Sequence, residues 1–489
     1  MNLCWTNAAM PQLWQLARIV AIYKNEGATT LPHNYRPIAL LQAMYKVFTS
    51  LIERRLRVLE PQLWKMQMGY RSGRSTDDAN HLLLRAIELT LRWQNIPLYL
   101  LCLDWKKCYD RIHIKRLLQA LRRFGLPDQY LQILEVIYSN MTFFVSAKWG
   151  KSEDKRQDEG LRQGDPLSCF LLVILMTVIM LDAREQYDAE CNRRGMSEAQ
   201  RETEKIFGFD DVEYADDSNF IQMNLPCLRI FAKFYIFEGR FYGLEANADK
   251  SALVVIRPAP AIVARLRHPD GWFFQVKDAT KTLGLTYGNG FDTAKILVND
   301  RIGQTFGLMD QYKRVWKSPV TLTKKCLYFN GAIWSRGRWS LHLLHLNKAL
   351  RDSIDGAQAS MLRRIAGIAH PYISRVSNAT TRRRCNATRF SIQILRSQLR
   401  WIGHILRRPE TDPLRLVVFE SGTDLCPRLT NTGRKRVVGR PRIDWAQTVI
   451  EIFCSFAQVS RPQMLVISSD KQRYHSFVER LCRHTALQS

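Results

Sequence analysis

Two adjacent aspartates, Asp216 and Asp217, stand between apolar runs in Ile206-Phe-Gly-Phe-Asp-Asp-Val-Glu-Tyr-Ala-Asp-Asp-Ser-Asn-Phe-Ile-Gln222. The pattern reads as two strands flanking a tight acidic turn. Neighbouring carboxylates repel one another and leave water only at a cost, unless a cation neutralises them or the turn simply stays exposed. A third acid, Asp104, closes Leu98-Tyr-Leu-Leu-Cys-Leu-Asp104, a short apolar run with the character of a buried strand. A strand ending in an acid is commonplace. Placed beside the hairpin, however, Asp104 would complete a set of three carboxylates suited to two Mg²⁺ ions, with Mn²⁺ as the alternative metal. Two such ions about 3.5–4 Å apart can activate an attacking hydroxyl and stabilise both the entering and the leaving oxygen in phosphoryl transfer.

The surrounding sequence supplies elements to position these acids. Leu40, Leu41, Met44, Tyr45, Phe48, Leu51, Ile52, Leu56 and Leu59 recur at helical spacing with basic residues between them. A second amphipathic helix follows Ser75-Thr-Asp-Asp, a helix-capping pattern, and runs to about Leu91 before Pro97 introduces the Asp104 strand. Leu117, Leu118, Leu121 and Phe124 mark a third helix, ended by Gly125-Leu-Pro127. The thirteen residues Cys169–Leu181 are apolar but for one Thr, too few to span a bilayer, and read as a buried helix. After it, about Asp182 to Glu204 reads as a solvated polar insert without a function.

Composition narrows the partners. The chain has 489 residues, 46% hydrophobic and 24% charged, a folded globular composition of roughly three structural units. Lys and Arg number 72 against 45 Asp and Glu, a formal charge of +27, so a polyanion is the expected partner, nucleic acid before a membrane surface. Residues 361–442 hold 18 Lys and Arg against 4 acids, a separate basic unit in which Trp401 and Trp445 are candidate stacking surfaces. Eleven scattered cysteines with no Cys-x-x-Cys pair fit reduced thiols, and no secretion is expected from the first residues, which show no signal pattern.

An ordered series of motifs carries a resemblance. Trp14–Lys24, Asn34-Tyr-Arg-Pro-Ile-Ala-Leu-Leu41 and Gln67-Met-Gly-Tyr-Arg-Ser-Gly-Arg-Ser-Thr76 are followed by Leu103-Asp-Trp-Lys-Lys-Cys-Tyr-Asp-Arg111, Glu159-Gly-Leu-Arg-Gln-Gly-Asp-Pro-Leu-Ser168, Tyr214-Ala-Asp-Asp217 and Gly243-Leu-Glu-Ala-Asn-Ala-Asp-Lys250. In this order they resemble the fingers and the palm motifs A to D of the reverse transcriptase of a non-LTR (LINE-type) retrotransposon. Thr282-Leu-Gly-Leu285 resembles the element behind the palm. A weaker likeness continues through Leu399-Arg-Trp-Ile-Gly-His-Ile-Leu406 and Gly439-Arg-Pro-Arg442.

The resemblance implies an α+β right-hand polymerase: fingers at 1–97, a palm with an antiparallel sheet at 98–290, a thumb at 291–365, and a basic, mainly helical nucleic-acid-binding region at 366–489. It implies an RNA-directed DNA polymerase working with an RNA template, a DNA primer or target, dNTPs and two Mg²⁺ ions. Asp104, Asp216 and Asp217 would be the catalytic metal ligands. Tyr109 would lie beneath the incoming sugar and exclude a 2′-OH. Gln163 and Gly164 would allow close approach of backbone to substrate, Lys250 would face the triphosphate, and Arg36, Arg71 and Arg74 would grip triphosphate or template. Cys108-Tyr109 replaces the usual Ala-Phe. Only 35 residues precede Arg36, so the endonuclease of such elements is expected to be missing, as from a partial element. A group II intron maturase-like enzyme and a catalytically dead RNA-binding relic are the alternatives. Arg382-Arg-Arg384 and Arg434-Lys-Arg436 are compatible with nuclear import, and the element type favours a nuclear over a cytoplasmic location; no membrane partner is expected.

Overall fold

The computed structural model describes residues 1–24, 27–91, 97–147, 150–198, 200–201, 208–256, 274–288, 293–420, 422–423, 425 and 444–487. The basic segments Arg434–Arg436 and Gly439–Arg442 lie outside these residues. The chain forms two compact units, each assembled from separate stretches: Met1–Ala79, Tyr99–Leu253 and Ala261–Lys277 in the first, and Asn80–Leu98, Val254–Pro260 and Asp278–Ser489 in the second.

The first unit is α+β, as expected. Among the described residues its central sheet has five strands in the order Gln275–Val276, Ala252–Ile256, Leu98–Leu103, Asp217–Gln222, Asp211–Tyr214. The last three run antiparallel to their neighbours in turn, with Leu103 opposite Ser218 and Tyr214 opposite Asp217. Leu98–Leu103 is buried along its whole length, which explains its unbroken apolar run. A second sheet pairs Leu16–Tyr23 antiparallel with Tyr35–Leu40 and parallel with Thr142–Ala147.

The apolar run after Gln163-Gly-Asp-Pro166 is the core helix of this unit. Asp165 caps it by accepting the Leu167 N–H, and Pro166 takes the first helical position, where its missing N–H costs nothing. The helix extends to Arg193, well past the thirteen residues that stand out in the sequence. It is long and apolar enough to cross a membrane, yet 78% of its most apolar stretch is buried inside the protein.

The start of the expected polar insert is therefore a continuation of this helix, and it carries a structural charge. Arg184, whose side chain is 14% exposed, donates to Asp210 at 2.7 Å and to Asp211 at 2.8 Å. The Trp64 indole N–H donates to the other Asp211 oxygen at 2.6 Å. Nothing in the local sequence marks this arginine, because its partners lie 26 and 27 residues further along the chain.

In the second unit a hairpin of Ala279–Thr282 and Leu285–Gly288 precedes helices that include Thr293–Gln311, Lys348–Ala366, Phe390–Leu406, Trp445–Ala457 and Lys471–Leu487. Trp445 is fully buried, donates its indole N–H to the His342 carbonyl at 2.9 Å and lies 4.8 Å from the Arg85 guanidinium. It cannot be the stacking surface expected from sequence: with Val449, Ile450 and Phe453 it forms the apolar face of its helix. Trp401 is half-buried among His81, His342 and His404. Part of the basic excess also turns inward. Arg363, Arg382 and Arg415 donate to main-chain carbonyls of Ala369, Asp355 and Arg408, whereas Arg375, Arg383, Arg384 and Arg400 are exposed.

Removing one partner of a buried ion pair strands the other, at about 3–5 kcal/mol. Burial already holds the Asp211 carboxyl up at about 6 despite the Arg184 charge. Since that folded-state value lies above the unfolded one, stability falls as pH rises through the window from about 4 to 6, and without Arg184 the window extends upward. Arg184→Met should thus lose about 3–5 kcal/mol at pH 8 and regain part of it at pH 5.5, as urea unfolding followed by tryptophan fluorescence would show. Equal losses at both pH values would contradict this account of the network.

Candidate active site

Asp104 leaves the end of the Leu98–Leu103 strand half-buried and is fixed on three atoms. Its N–H donates to Ser251 Oγ at 3.0 Å, its carbonyl accepts the Asn247 N–H at 2.8 Å, and its Oδ2 accepts from Asn247 Nδ2 at 2.8 Å. The next residues continue the pairing: Trp105 bridges Ala246, and the Lys106 N–H donates to the Glu245 carbonyl at 2.8 Å. Glu245–Asn247 belongs to the motif around Gly243–Lys250, so two stretches 140 residues apart in sequence meet at this acid.

Asp216 lies in the two-residue turn between Asp211–Tyr214 and Asp217–Gln222, and Asp217 opens the second strand, paired with Tyr214. Because Leu103 faces Ser218 across antiparallel strands, the next step of the register sets Asp104 against Asp217. The electrostatics agree. Burial lifts the Asp217 carboxyl to about 7, with further pushes from the charges of Asp216 and Asp104. Asp216 is raised by burial and again by Asp104. The same three carboxylates, with Asp110, add to the burial that holds the Cys108 thiol protonated. Among the described residues no group of three or more His, Cys, Asp or Glu is preformed around a metal position; the chemistry of three mutually repelling oxygen donors at the ends of adjacent strands is nonetheless that which hard divalent cations take.

Tyr109 follows on the short helix Cys108–Arg111, half-buried, its hydroxyl 3.3 Å from the Tyr70 hydroxyl and 3.7 Å from Cys169 Sγ. Its main-chain carbonyl accepts the Leu161 N–H at 2.7 Å, which joins this helix to the Glu159–Ser168 motif. In that motif the Gln163 carbonyl accepts the Ala39 N–H at 2.9 Å, and a Cβ on Gly164 would come within 2.7 Å of the Ala39 carbonyl oxygen. Gly164, at φ +115°, is thus explained by contact with the protein's own backbone.

The register sets Asp104 beside Asp217, with Asp216 in the adjoining turn, whereas the Tyr109 hydroxyl faces Tyr70 and Cys169. The basic candidates divide. Arg36 is exposed on Tyr35–Leu40, and Lys250 is exposed three residues beyond Asn247. Arg71 Nη1 donates to the carbonyls of Trp64, Lys65 and Gln67 at 3.1–3.4 Å, and Arg74 sits 4.0 Å from Asp78. The sequence by itself assigns no role to Gln67 or Asn247, although both lie inside the motifs Gln67–Thr76 and Gly243–Lys250. Gln67 is fully buried against the turn itself. Its Oε1 accepts the N–H groups of Gly69 at 2.8 Å and Ala215 at 2.7 Å, and its Nε2 donates to the Ala215 carbonyl at 3.0 Å.

A site made of repelling carboxylates should weaken the metal-free fold. The raised Asp217 value means that ionisation opposes folding between about pH 4 and 7, fully so above 7. Asp217→Asn should therefore stabilise the metal-free protein at pH 8 by on the order of 1 kcal/mol, with no gain at pH 4. Thermal melts in EDTA would check this; a variant less stable than the parent at pH 8 would refute the repulsion.

Residues 22–287 match the family model described as reverse transcriptase (RNA-dependent DNA polymerase). The chain is 27% identical over 383 residues to the Pol polyprotein of the type-1 retrotransposable element R1 from Bradysia coprophila, covering 71% of this chain and 34% of the relative. It is 24% identical over 249 residues to that of the R2 element from Popillia japonica, covering 50% and 33%. Among solved structures, Candida tropicalis telomerase in complex with a fragment of telomeric RNA aligns at 15% identity and a TM-score of 0.38, over 97% of this chain and 65% of that one. The chain spans between 12% and 34% of the length of the curated relatives it matches. More than half of its residues, including all three clustered acids, fall within one family model, and the chain belongs to the reverse transcriptase (RNA-dependent DNA polymerase) family.

Proposed function

We propose that the chain acts as the RNA-directed DNA polymerase of a non-LTR retrotransposon, extending a primer 3′-OH with dNTPs on an RNA template. The observation that carries this reading is the register that sets Asp104 beside Asp217, next to Asp216 in the turn, at the ends of two adjacent strands inside the family's matched span. Reverse transcriptases as a family use divalent metal ions. Here Asp104, Asp216 and Asp217 would hold two Mg²⁺, which, when bound, lower the pKa of the primer hydroxyl and offset charge on the leaving pyrophosphate.

The chain's own residues do the positioning. Asn247 and Ser251 fix Asp104 from its amide and carbonyl sides, and the hairpin presents the paired acids on the adjacent strand. Tyr109, set by its contacts with Tyr70 and Leu161, excludes a ribose 2′-OH by collision. Arg36 and Lys250, both exposed, contact phosphates of the template or the triphosphate. Arg71 and Arg74 brace the loop that carries Gln67 and Tyr70. Gln163 and Gly164 set the loop over Ala39 against which substrate lies.

We assign residues 1–97, 98–290 and 291–365 to fingers, palm and thumb. Residues 366–489 bind template or target DNA through exposed arginines such as Arg375, Arg383, Arg384 and Arg400. An element that uses chromosomal DNA acts in the nucleus.

Primer extension on an RNA template with all four dNTPs tests the reading, and no extension by folded, RNA-binding protein would sink it. Asp104→Asn and Asp216→Asn should each slow extension by on the order of 10³-fold at unchanged RNA affinity, and Asp217→Asn somewhat less. Near-parent rates in the first two variants would displace the site. Tyr109→Val should raise the ratio of ribonucleotide to deoxyribonucleotide incorporation by roughly 10-fold or more in single-nucleotide extension. An unchanged ratio would make Tyr109 a packing residue.

A further inference from the structure

We infer that Gln67 is a positioning residue, the clamp that holds the Tyr214–Asp217 turn in the one conformation that aims Asp216 at the metal site. The inference rests on the polymerase reading above and assigns a role within that same site.

Ala215 has φ +57°, a left-handed backbone that residues with a Cβ adopt at a cost. Such strain persists only where neighbours over-determine it. One buried amide does so here. Gln67 grips both main-chain groups of Ala215, accepting its N–H at 2.7 Å and donating to its carbonyl at 3.0 Å, and uses the second lone pair of Oε1 for the Gly69 N–H at 2.8 Å. The Gln67 backbone is itself held by hydrogen bonds. It bridges Glu213 in parallel register, with the Met68 N–H on the Glu213 carbonyl at 2.7 Å and the Glu213 N–H on the Met66 carbonyl at 3.0 Å. Met66–Met68 thus extends the catalytic sheet beyond Asp211–Tyr214.

The close approach needs Gly69. A Cβ there would lie 2.2 Å from the Ala215 nitrogen, so any side chain at 69 drives the turn away from the amide that holds it. Gln67 and Gly69 act as a pair, one bonding the turn and the other making room for it. A neutral amide is also the appropriate donor and acceptor beside Asp216 and Asp217, since a lysine or arginine would compete with the cation for their charge. Released from the clamp, Ala215 would relax toward negative φ and rotate the adjoining Asp216 away from Asp104 and Asp217.

Two variants test this: Gln67→Met, which keeps the volume and removes every side-chain hydrogen bond of residue 67, and Gly69→Ala, which keeps the amide and displaces the turn. The readouts are Mn²⁺ affinity of the full chain by electron paramagnetic resonance, thermal midpoint, primer–template affinity, and kcat with KM for dNTP. Each variant should bind Mn²⁺ about tenfold more weakly and lose 10- to 100-fold in kcat, with KM for dNTP and primer–template affinity within threefold of the parent. A general loss of structure would move all four readouts together. Parent-like Mn²⁺ affinity and kcat in a folded Gln67→Met protein would overturn the assignment, as would failure of both variants to fold, which would make Gln67 a residue of the fold alone. Should the parent bind Mn²⁺ yet extend no primer, the polymerase reading fails while the Mn²⁺ comparison still decides the role of Gln67.

Discussion

Three carboxylates that repel one another have to be kept together without being neutralised, and much of the first unit serves that requirement. A guanidinium placed among Asp104, Asp216 and Asp217 would settle their repulsion and take the space of any cation they could hold. The groups that fix them are instead neutral: the Asn247 amide and Ser251 hydroxyl on Asp104, and the Gln67 amide on the turn. The sheet supplies the rigidity, because residues at the ends of hydrogen-bonded strands cannot drift apart independently.

Full charge enters only one step away. Arg184 binds Asp210 and Asp211 at the start of the hairpin strand, not its tip, and so anchors the strand without discharging the acids of the turn. Between the two regions Glu213 is held up at about 8 by burial and the Asp211 charge, and accepts the Tyr235 hydroxyl at 2.9 Å. The acids along this hairpin therefore differ in character: Asp210 and Asp211 are ion-paired to Arg184 at its base, Glu213 is held up by burial, and Asp216 and Asp217 at its tip are raised by burial and by their mutual repulsion.

Most of this frame is legible in the sequence, for local reasons. The Asp104 strand is an unbroken apolar run, the hairpin is two such runs around an acidic pair, and Asp165-Pro166 announces the start of a helix by a cap and a ring that fits only there. What escapes is long-range pairing. Gln67 looks like any polar loop residue until its partner 148 residues away is known. Arg184 is one basic residue in a polar stretch, and its burial follows from acids that sequence periodicity does not connect to it. Trp445 misleads in the opposite direction: its neighbourhood in the chain is strongly basic, but the apolar face of its own helix decides where it goes. The motif segments carry the missing signal in compressed form, since Gln67-x-Gly69 and Asn247 sit inside them.

The second unit opens with Asn80–Leu98 and resumes only at residue 254. Within it the helix bearing Leu82, Leu83 and Ala86, all fully buried, meets its tryptophan partner at His81–Trp401 across 320 residues of chain. At ribosomal speeds of about 5–20 residues per second, roughly 16–64 s pass between the emergence of the two ends. Throughout that interval the helix's apolar face lacks its final cover, and the nascent protein carries an exposed greasy surface that invites chaperones or aggregation. The interleaved course of the chain thus makes synthesis order a determinant of yield: slowing translation downstream of Leu98 lengthens the vulnerable period, while nothing in the finished structure records it.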